Sequence, residues 1–142
     1  MCLNYKGITT SVSKRQESGT TTRFPDIKWI FSHGGGVVTA LIGRLGRLGN
    51  NKAFEGKFPA GFTAELGKLY YDTASITNDG ALRALLAAVP QTQVLFGTDF
   101  PMTPVQPTQE VHELDELKIE GELRRAIDRD NALRLLPRIE KI

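Results

Sequence analysis

Two residues of this 142-residue chain stand where side chains do chemistry. His33 closes the run Ile27-Lys28-Trp29-Ile30-Phe31-Ser32 and is followed by Gly34-Gly35-Gly36. Asp99 follows Gln93-Val94-Leu95-Phe96-Gly97-Thr98 and precedes Phe100-Pro101. Each comes directly after an apolar, β-branched and aromatic run. That is the C-terminal mouth of a strand, where α/β folds put their reactive groups. Three successive glycines carry no Cβ, so the backbone there can take positive φ and approach a neighbouring group closely. Imidazole and carboxylate together suit either a zinc or manganese site or an acid–base pair. A histidine after a strand is commonly no more than packed or solvated, and a glycine run commonly a turn. The recurrence of the pattern at two strand ends is what favours a shared site.

Other chemistries fail on spacing. His33-Gly34-Gly35-Gly36 has the form of a lipase-type oxyanion loop, which requires a Gly-x-Ser-x-Gly elbow downstream. After residue 33 the only serine is Ser75, in Thr73-Ala74-Ser75-Ile76, so a hydrolase triad is excluded. Neither nucleotide-binding glycine fingerprint occurs. The only other histidine, His112, sits in a helical pattern and reads as solvated. A catalytic zinc takes three protein ligands and a water. A zinc site would therefore be incomplete on this chain.

The elements that must position His33 and Asp99 alternate. Strands are expected at 27–32, 68–73 and 93–97, with helices at 37–48, 80–89, 108–118, 121–127 and 129–136 and a short one near 59–66. Asn78 and Asp79 are cap candidates before the helix that Pro90 ends, and Gly49-Asn50-Asn51 stops the first. Gly43 and Gly46 inside 37–48 each cost about 1 kcal/mol relative to alanine, which suggests close packing or a partner there. The loop 98–107 is stiffened by Pro101, Pro104 and Pro107. Strands alternating with helices make right-handed parallel βαβ units, so the fold class is α/β. Near-continuous apolar strands suit a parallel sheet covered on both faces. The second strand is expected between the other two, with His33 and Asp99 at one edge and the outer backbone edges open to association.

Composition narrows the function. No apolar run reaches the ~20 residues that span a bilayer, and no basic face with interleaved aromatics suggests nucleic acid. Cys2 is the only cysteine, which fits a reducing compartment; the expected location is cytoplasmic. The net charge is +2, but residues 1–23 hold four basic groups against Glu17 alone, a balance of +3. That segment has eight Ser/Thr and little apolar periodicity, so it is expected to be a mobile, disordered extension. Residues 24–142 form the expected domain.

From Phe24 the sequence resembles a known family. Phe24-Pro25-Asp26-Ile27-Lys28-Trp29-Ile30-Phe31-Ser32-His33-Gly34-Gly35-Gly36 is similar to the sixth strand and loop of the amidohydrolase-related (amidohydrolase 2) barrels, in particular their metal-dependent decarboxylases. Leu69-Tyr70-Tyr71-Asp72-Thr73-Ala74 resembles the seventh strand. Val94-Leu95-Phe96-Gly97-Thr98-Asp99-Phe100-Pro101 resembles the eighth, and Asn131-Ala132-Leu133-Arg134-Leu135-Leu136 the closing helix. The resemblance implies a partial TIM (β/α)8 barrel comprising the last three βα units. It implies Asp99 as a ligand of a divalent metal, zinc or manganese, and His33 as the proton donor or acceptor beside it. Arg44 falls where decarboxylase members carry an arginine that reaches a neighbouring subunit's site and holds a substrate carboxylate; otherwise it is a solvated helix residue. For Asp72 a structural role is expected.

The family's His-x-His pair and its metal-binding histidine on the fifth strand do not occur here. The expectation is therefore a C-terminal fragment of a metal-dependent enzyme, a non-oxidative decarboxylase of a small unsaturated or aromatic acid and a homo-oligomer when complete. The missing ligands are expected upstream, behind a mis-assigned start. The alternatives are a metal-dependent hydrolase of an ester, lactone or amide, and a non-catalytic remnant or assembly module.

Overall fold

The computed structural model describes residues 5–47, 51–102 and 107–138. Cys2, Leu48, the Gly49–Asn50 stop and Pro104 lie outside them. In chain order the elements are α1 (Tyr5–Glu17), α2 (Thr20–Arg23), β1 (Ile30–Phe31), α3 (Ile42–Gly46), α4 (Phe62–Leu66), β2 (Tyr70–Asp72), α5 (Asp79–Ala88), β3 (Val94–Leu95), α6 (Pro107–Glu116), α7 (Gly121–Arg125) and α8 (Asn131–Leu135). A π-helical turn, Ala126–Asp130, joins the last two helices. No described helix is long and apolar enough to cross a membrane.

The sheet is parallel in the order β1-β2-β3, with Ile30 opposite Tyr70, Phe31 opposite Tyr71, Tyr71 opposite Val94 and Asp72 opposite Leu95. Tyr71 is its centre. The side chain is fully buried, its ring lies 6.3 Å from that of Phe31, and its hydroxyl donates to the Leu66 carbonyl at 3.0 Å. Around it pack Phe62 and Leu66 of α4, Leu82 and Leu85 of α5, Leu114 of α6 and Ile127 of the π turn. The helix over 80–89 forms as its sequence signals require. Asn78 Oδ1 caps it by accepting from the Ala81 N–H at 2.9 Å, and Leu82 and Leu85 turn inward.

Four expectations change. Residues 1–23 are not a disordered extension in the described part: α1 sends Val12 and Gln16 into complete burial. Thr9 Oγ1 accepts from the Val37 N–H at 2.9 Å, and the Arg15 guanidinium stacks 4.2 Å over the Trp29 ring. A Ser/Thr-rich helix with weak periodicity forms because its partners lie across the fold, which local composition does not register. The strand at 27–32 contracts to Ile30–Phe31, and Ile27 and Ile30 are about half exposed, so this edge of the sheet is not covered on both faces. The helix at 37–48 contracts to Ile42–Gly46 after a run of turns. A Cβ added at Gly43 or Gly46 would meet nothing within 4 Å, so these glycines serve no close packing against described residues.

The fourth change concerns the sheet's β3 edge. Leu95 faces β2, its carbonyl accepting from the Thr73 N–H at 3.0 Å, so Val94 and Phe96 present backbone groups outward. These are taken. Asn131 Nδ2 donates to the Val94 carbonyl at 2.7 Å and to the Gln91 carbonyl at 2.8 Å, and the Phe96 N–H donates to the Ile127 carbonyl at 3.0 Å. The closing helical stretch therefore occupies backbone positions that the sequence reading left open.

Candidate functional site

The site grows from the ends of the three strands. After Phe31 the chain enters four consecutive residues with positive φ: His33 (55°), Gly34 (59°), Gly35 (77°) and Gly36 (72°). Glycine is required here for space as well as for conformation. A Cβ on Gly34 would lie 2.6 Å from Ile76 Cδ1, and one on Gly35 would lie 2.9 Å from Tyr71 Cε1 and 3.0 Å from Val38 Cγ1. The loop thus presses into the core, and the turn it makes carries the buried His33 back over the edge of the sheet.

Asp99 arrives from the other side. It too is a non-glycine residue in the left-handed region, at φ 59°, and its carbonyl accepts from the Met102 N–H at 2.8 Å in the turn that follows. The structure brings the two predicted residues together: His33 Nε2 stands 3.8 Å from Asp99 Oδ2. Asp99 Oδ2 is buried and accepts no hydrogen bond from any described residue. A buried carboxylate oxygen without a donor is costly unless a cation or proton completes it. That oxygen fits a metal ligand, and at 3.8 Å the imidazole stands beside it beyond hydrogen-bonding distance. Among the described residues no group of three or more His, Cys, Asp or Glu comes together to hold a metal ion.

Between the two lies a residue to which sequence reading gave only a structural part. Asp72, at the end of β2, accepts the His33 backbone N–H at 2.7 Å and the Ala74 N–H at 3.2 Å, both on Oδ1. Burial pushes its carboxyl pKa up, and the two backbone donors and the nearby His33 pull the other way. Next to it Thr73 Oγ1 accepts from the Gly97 N–H and donates to the Gly97 carbonyl, both at 3.1 Å, which fixes the strand end that leads to Asp99. Glu110 was also missed. From α6 it accepts the Ser75 N–H at 3.0 Å and the Thr77 hydroxyl at 2.6 Å, pinning the loop after β2. A glutamate three residues into a helix gives no sign in sequence that it will be buried. Arg44 is not brought to the pair; it lies exposed on α3 without an ion pair to any described residue. His112 is exposed on α6, as expected.

The amidohydrolase family model (Amidohydro_2) matches residues 12–138. The chain belongs to the amidohydrolase family. The match begins inside α1, so the helix from Val12 onward lies within the matched region. This amidohydrolase chain is 33% identical over 128 residues to the decarboxylase yanB of Aspergillus niger, covering 87% of the chain and 35% of the relative. It is 32% identical over 127 residues to the 6-methylsalicylic acid decarboxylase of Penicillium expansum, covering 88% and 39%. The chain thus spans between a third and two-fifths of these relatives' length. Among solved structures, an amidohydrolase II superposes with a TM-score of 0.83 at 24% identity, covering 94% of this chain and 42% of its own. The 5-carboxyvanillate decarboxylase of Novosphingobium aromaticivorans, complexed with manganese and a nitrobenzoic acid ligand, superposes with a TM-score of 0.75 at 14% identity, covering 89% and 37%. At those identities the likeness is one of fold, an α/β fold with a parallel sheet.

Proposed function

We propose that this chain provides the last three βα units of a (β/α)8 barrel in a metal-dependent, non-oxidative decarboxylase of a small aromatic or unsaturated acid. One observation carries the reading: His33 Nε2 and Asp99 Oδ2 stand 3.8 Å apart on one edge of the sheet, the latter buried and without a hydrogen-bond donor among the described residues. The names of the relatives, decarboxylases in each case, support lyase chemistry over hydrolysis. The manganese in a related fold supports a divalent ion.

In this reading Asp99 is one of several ligands, the others coming from barrel units beyond these three. Zinc or manganese held in part by Asp99 would supply Lewis acidity to the substrate. His33 is the general acid. The carbon–carboxylate bond breaks, carbon dioxide leaves, and the electron pair left on the carbon takes the proton from His33. Such a positioned proton donor contributes about 10²–10⁴-fold. Arg44, from the exposed face of α3, would hold a substrate carboxylate in a neighbouring subunit of a homo-oligomer.

The test is a chimera in which residues 12–138 replace the matching portion of the Penicillium 6-methylsalicylic acid decarboxylase. With manganese or zinc and 6-methylsalicylic acid, release of carbon dioxide with a decarboxylated phenol as product is expected. A folded, metal-loaded chimera that turns over an ester, lactone or amide and leaves the acid untouched would replace the lyase reading with the hydrolase one. A folded, metal-loaded chimera with no turnover of either class would leave the chain a non-catalytic module.

A further inference from the structure

His33 sits at φ 55°, in the left-handed region that few residues with a side chain occupy. What holds it there lies across the sheet. The His33 N–H donates to Asp72 Oδ1 at 2.7 Å, and the same oxygen takes the Ala74 N–H at 3.2 Å, so one carboxylate oxygen clamps the ends of β1 and β2. Space for that carboxylate is reserved by the third strand. A Cβ at Gly97 would lie 2.9 Å from Asp72 Cβ and 3.0 Å from Asp72 Cγ, although Gly97 has no positive φ that would call for glycine. Gly97 is held in turn by Thr73 Oγ1 on both its N–H and its carbonyl. Asp72 therefore joins all three strand ends at the point from which His33 and Asp99 project.

We infer that Asp72 is a positioning residue: through its bond to the His33 backbone N–H, in the room left by Gly97, it holds His33 in the left-handed conformation that aims the imidazole at Asp99. This deepens the decarboxylase reading, and its catalytic consequence rests on that reading, but the conformational claim does not. A hydrogen bond to a charged acceptor at 2.7 Å is of the stronger kind. An amide oxygen at the same place would still accept it. Asp72→Asn should accordingly preserve the clamp, and Asp72→Ala should release it.

The conformational test uses the whole 142-residue chain labelled with nitrogen-15. In Asp72→Ala the His33 amide should exchange with solvent at least tenfold faster than in the unaltered chain, and its HN–Hα coupling should move away from the value for φ near +55°. In Asp72→Asn both should stay within about twofold of the unaltered chain. Should Asp72→Ala fail to fold, Gly97→Ala provides the second reading. Its Cβ must displace Asp72, so the His33 amide should again exchange faster while the Leu82 and Leu85 amides of α5 do not. Unchanged His33 exchange and coupling in a folded Asp72→Ala or Gly97→Ala chain would overturn the inference. The catalytic arm uses the chimera described above, where Asp72→Ala should lower kcat at least tenfold with KM within about twofold, and Asp72→Asn should restore most of it. If His33 moves as expected and the unaltered chimera has no activity, the decarboxylase reading falls and the positioning of His33 by Asp72 stands.

Discussion

Gly35→Ala is the perturbation whose size the structure sets most tightly. Gly35 has φ +77°, in the left-handed region, which costs a residue with a Cβ about 1–2 kcal/mol. The added methyl would lie 2.9 Å from Tyr71 Cε1 and 3.0 Å from Val38 Cγ1. Neither neighbour can step aside. Tyr71 is fully buried at the centre of the sheet with its hydroxyl tied to the Leu66 carbonyl, and Val38 is also buried. Forcing a methyl into a filled core costs a further 1–3 kcal/mol. The expected loss is about 2–5 kcal/mol, to be measured by urea unfolding followed by circular dichroism, with the midpoint falling and the slope unchanged. The matched control is Gly43→Ala. It lies in α3 with no described residue within 4 Å of the new methyl, and it should gain about 0.5–1 kcal/mol from helix propensity alone. A Gly35→Ala loss under about 0.5 kcal/mol, or equal effects at the two positions, would refute the claim that the His33 loop is glycine-rich because it is pressed against Tyr71.

Two further outcomes follow from the core. Asn131→Ala removes the donor to the buried Val94 carbonyl and one of two to the Gln91 carbonyl, which keeps the Val94 N–H, and should cost about 1–3 kcal/mol in the same unfolding assay, since one buried acceptor is left without a partner. Tyr71 is held protonated beyond its ordinary range by burial. Below pH ~10 the phenol is neutral in both folded and unfolded chains and contributes no slope; above it the unfolded chain ionises first, so stability should fall with rising pH by up to about 1.4 kcal/mol per unit from this group. Tyr71→Phe should flatten that alkaline fall, read as urea midpoints between pH 9 and 11, while lowering stability near neutrality through loss of the Leu66 hydrogen bond.

What was legible in the sequence was whatever local pattern decides. The three apolar runs became the three strands in the expected order, and Asn78 and Pro90 bounded α5 as their chemistry requires. The convergence of His33 and Asp99 was readable too, because parallel strands put like ends together. What was not legible depended on partners far along the chain. Val12 and Gln16 are buried because α1 lies on the rest of the fold, a fact absent from the Ser/Thr-rich segment itself. Asp72 reads as any strand-end carboxylate until the His33 N–H, 39 positions away, is seen to bond it. Gly97 looks like a strand terminator and turns out to leave room for Asp72. Gly43 and Gly46 suggested tight packing, which no described residue supplies. Arg44, carried over from a resemblance, lies exposed on α3 without an ion pair to any described residue.

The account turns on the division of labour between His33 and Asp99, and metal content measured beside turnover in single variants of the chimera tests it most directly. His33→Asn should keep a stoichiometric metal ion and lose 10²-fold or more in the rate of carbon dioxide release, as removal of a positioned proton donor requires. Asp99→Asn should lose the metal ion and the activity together. A His33→Asn enzyme with near-normal turnover, or an Asp99→Asn enzyme that holds its metal as firmly as before, would contradict the assignment.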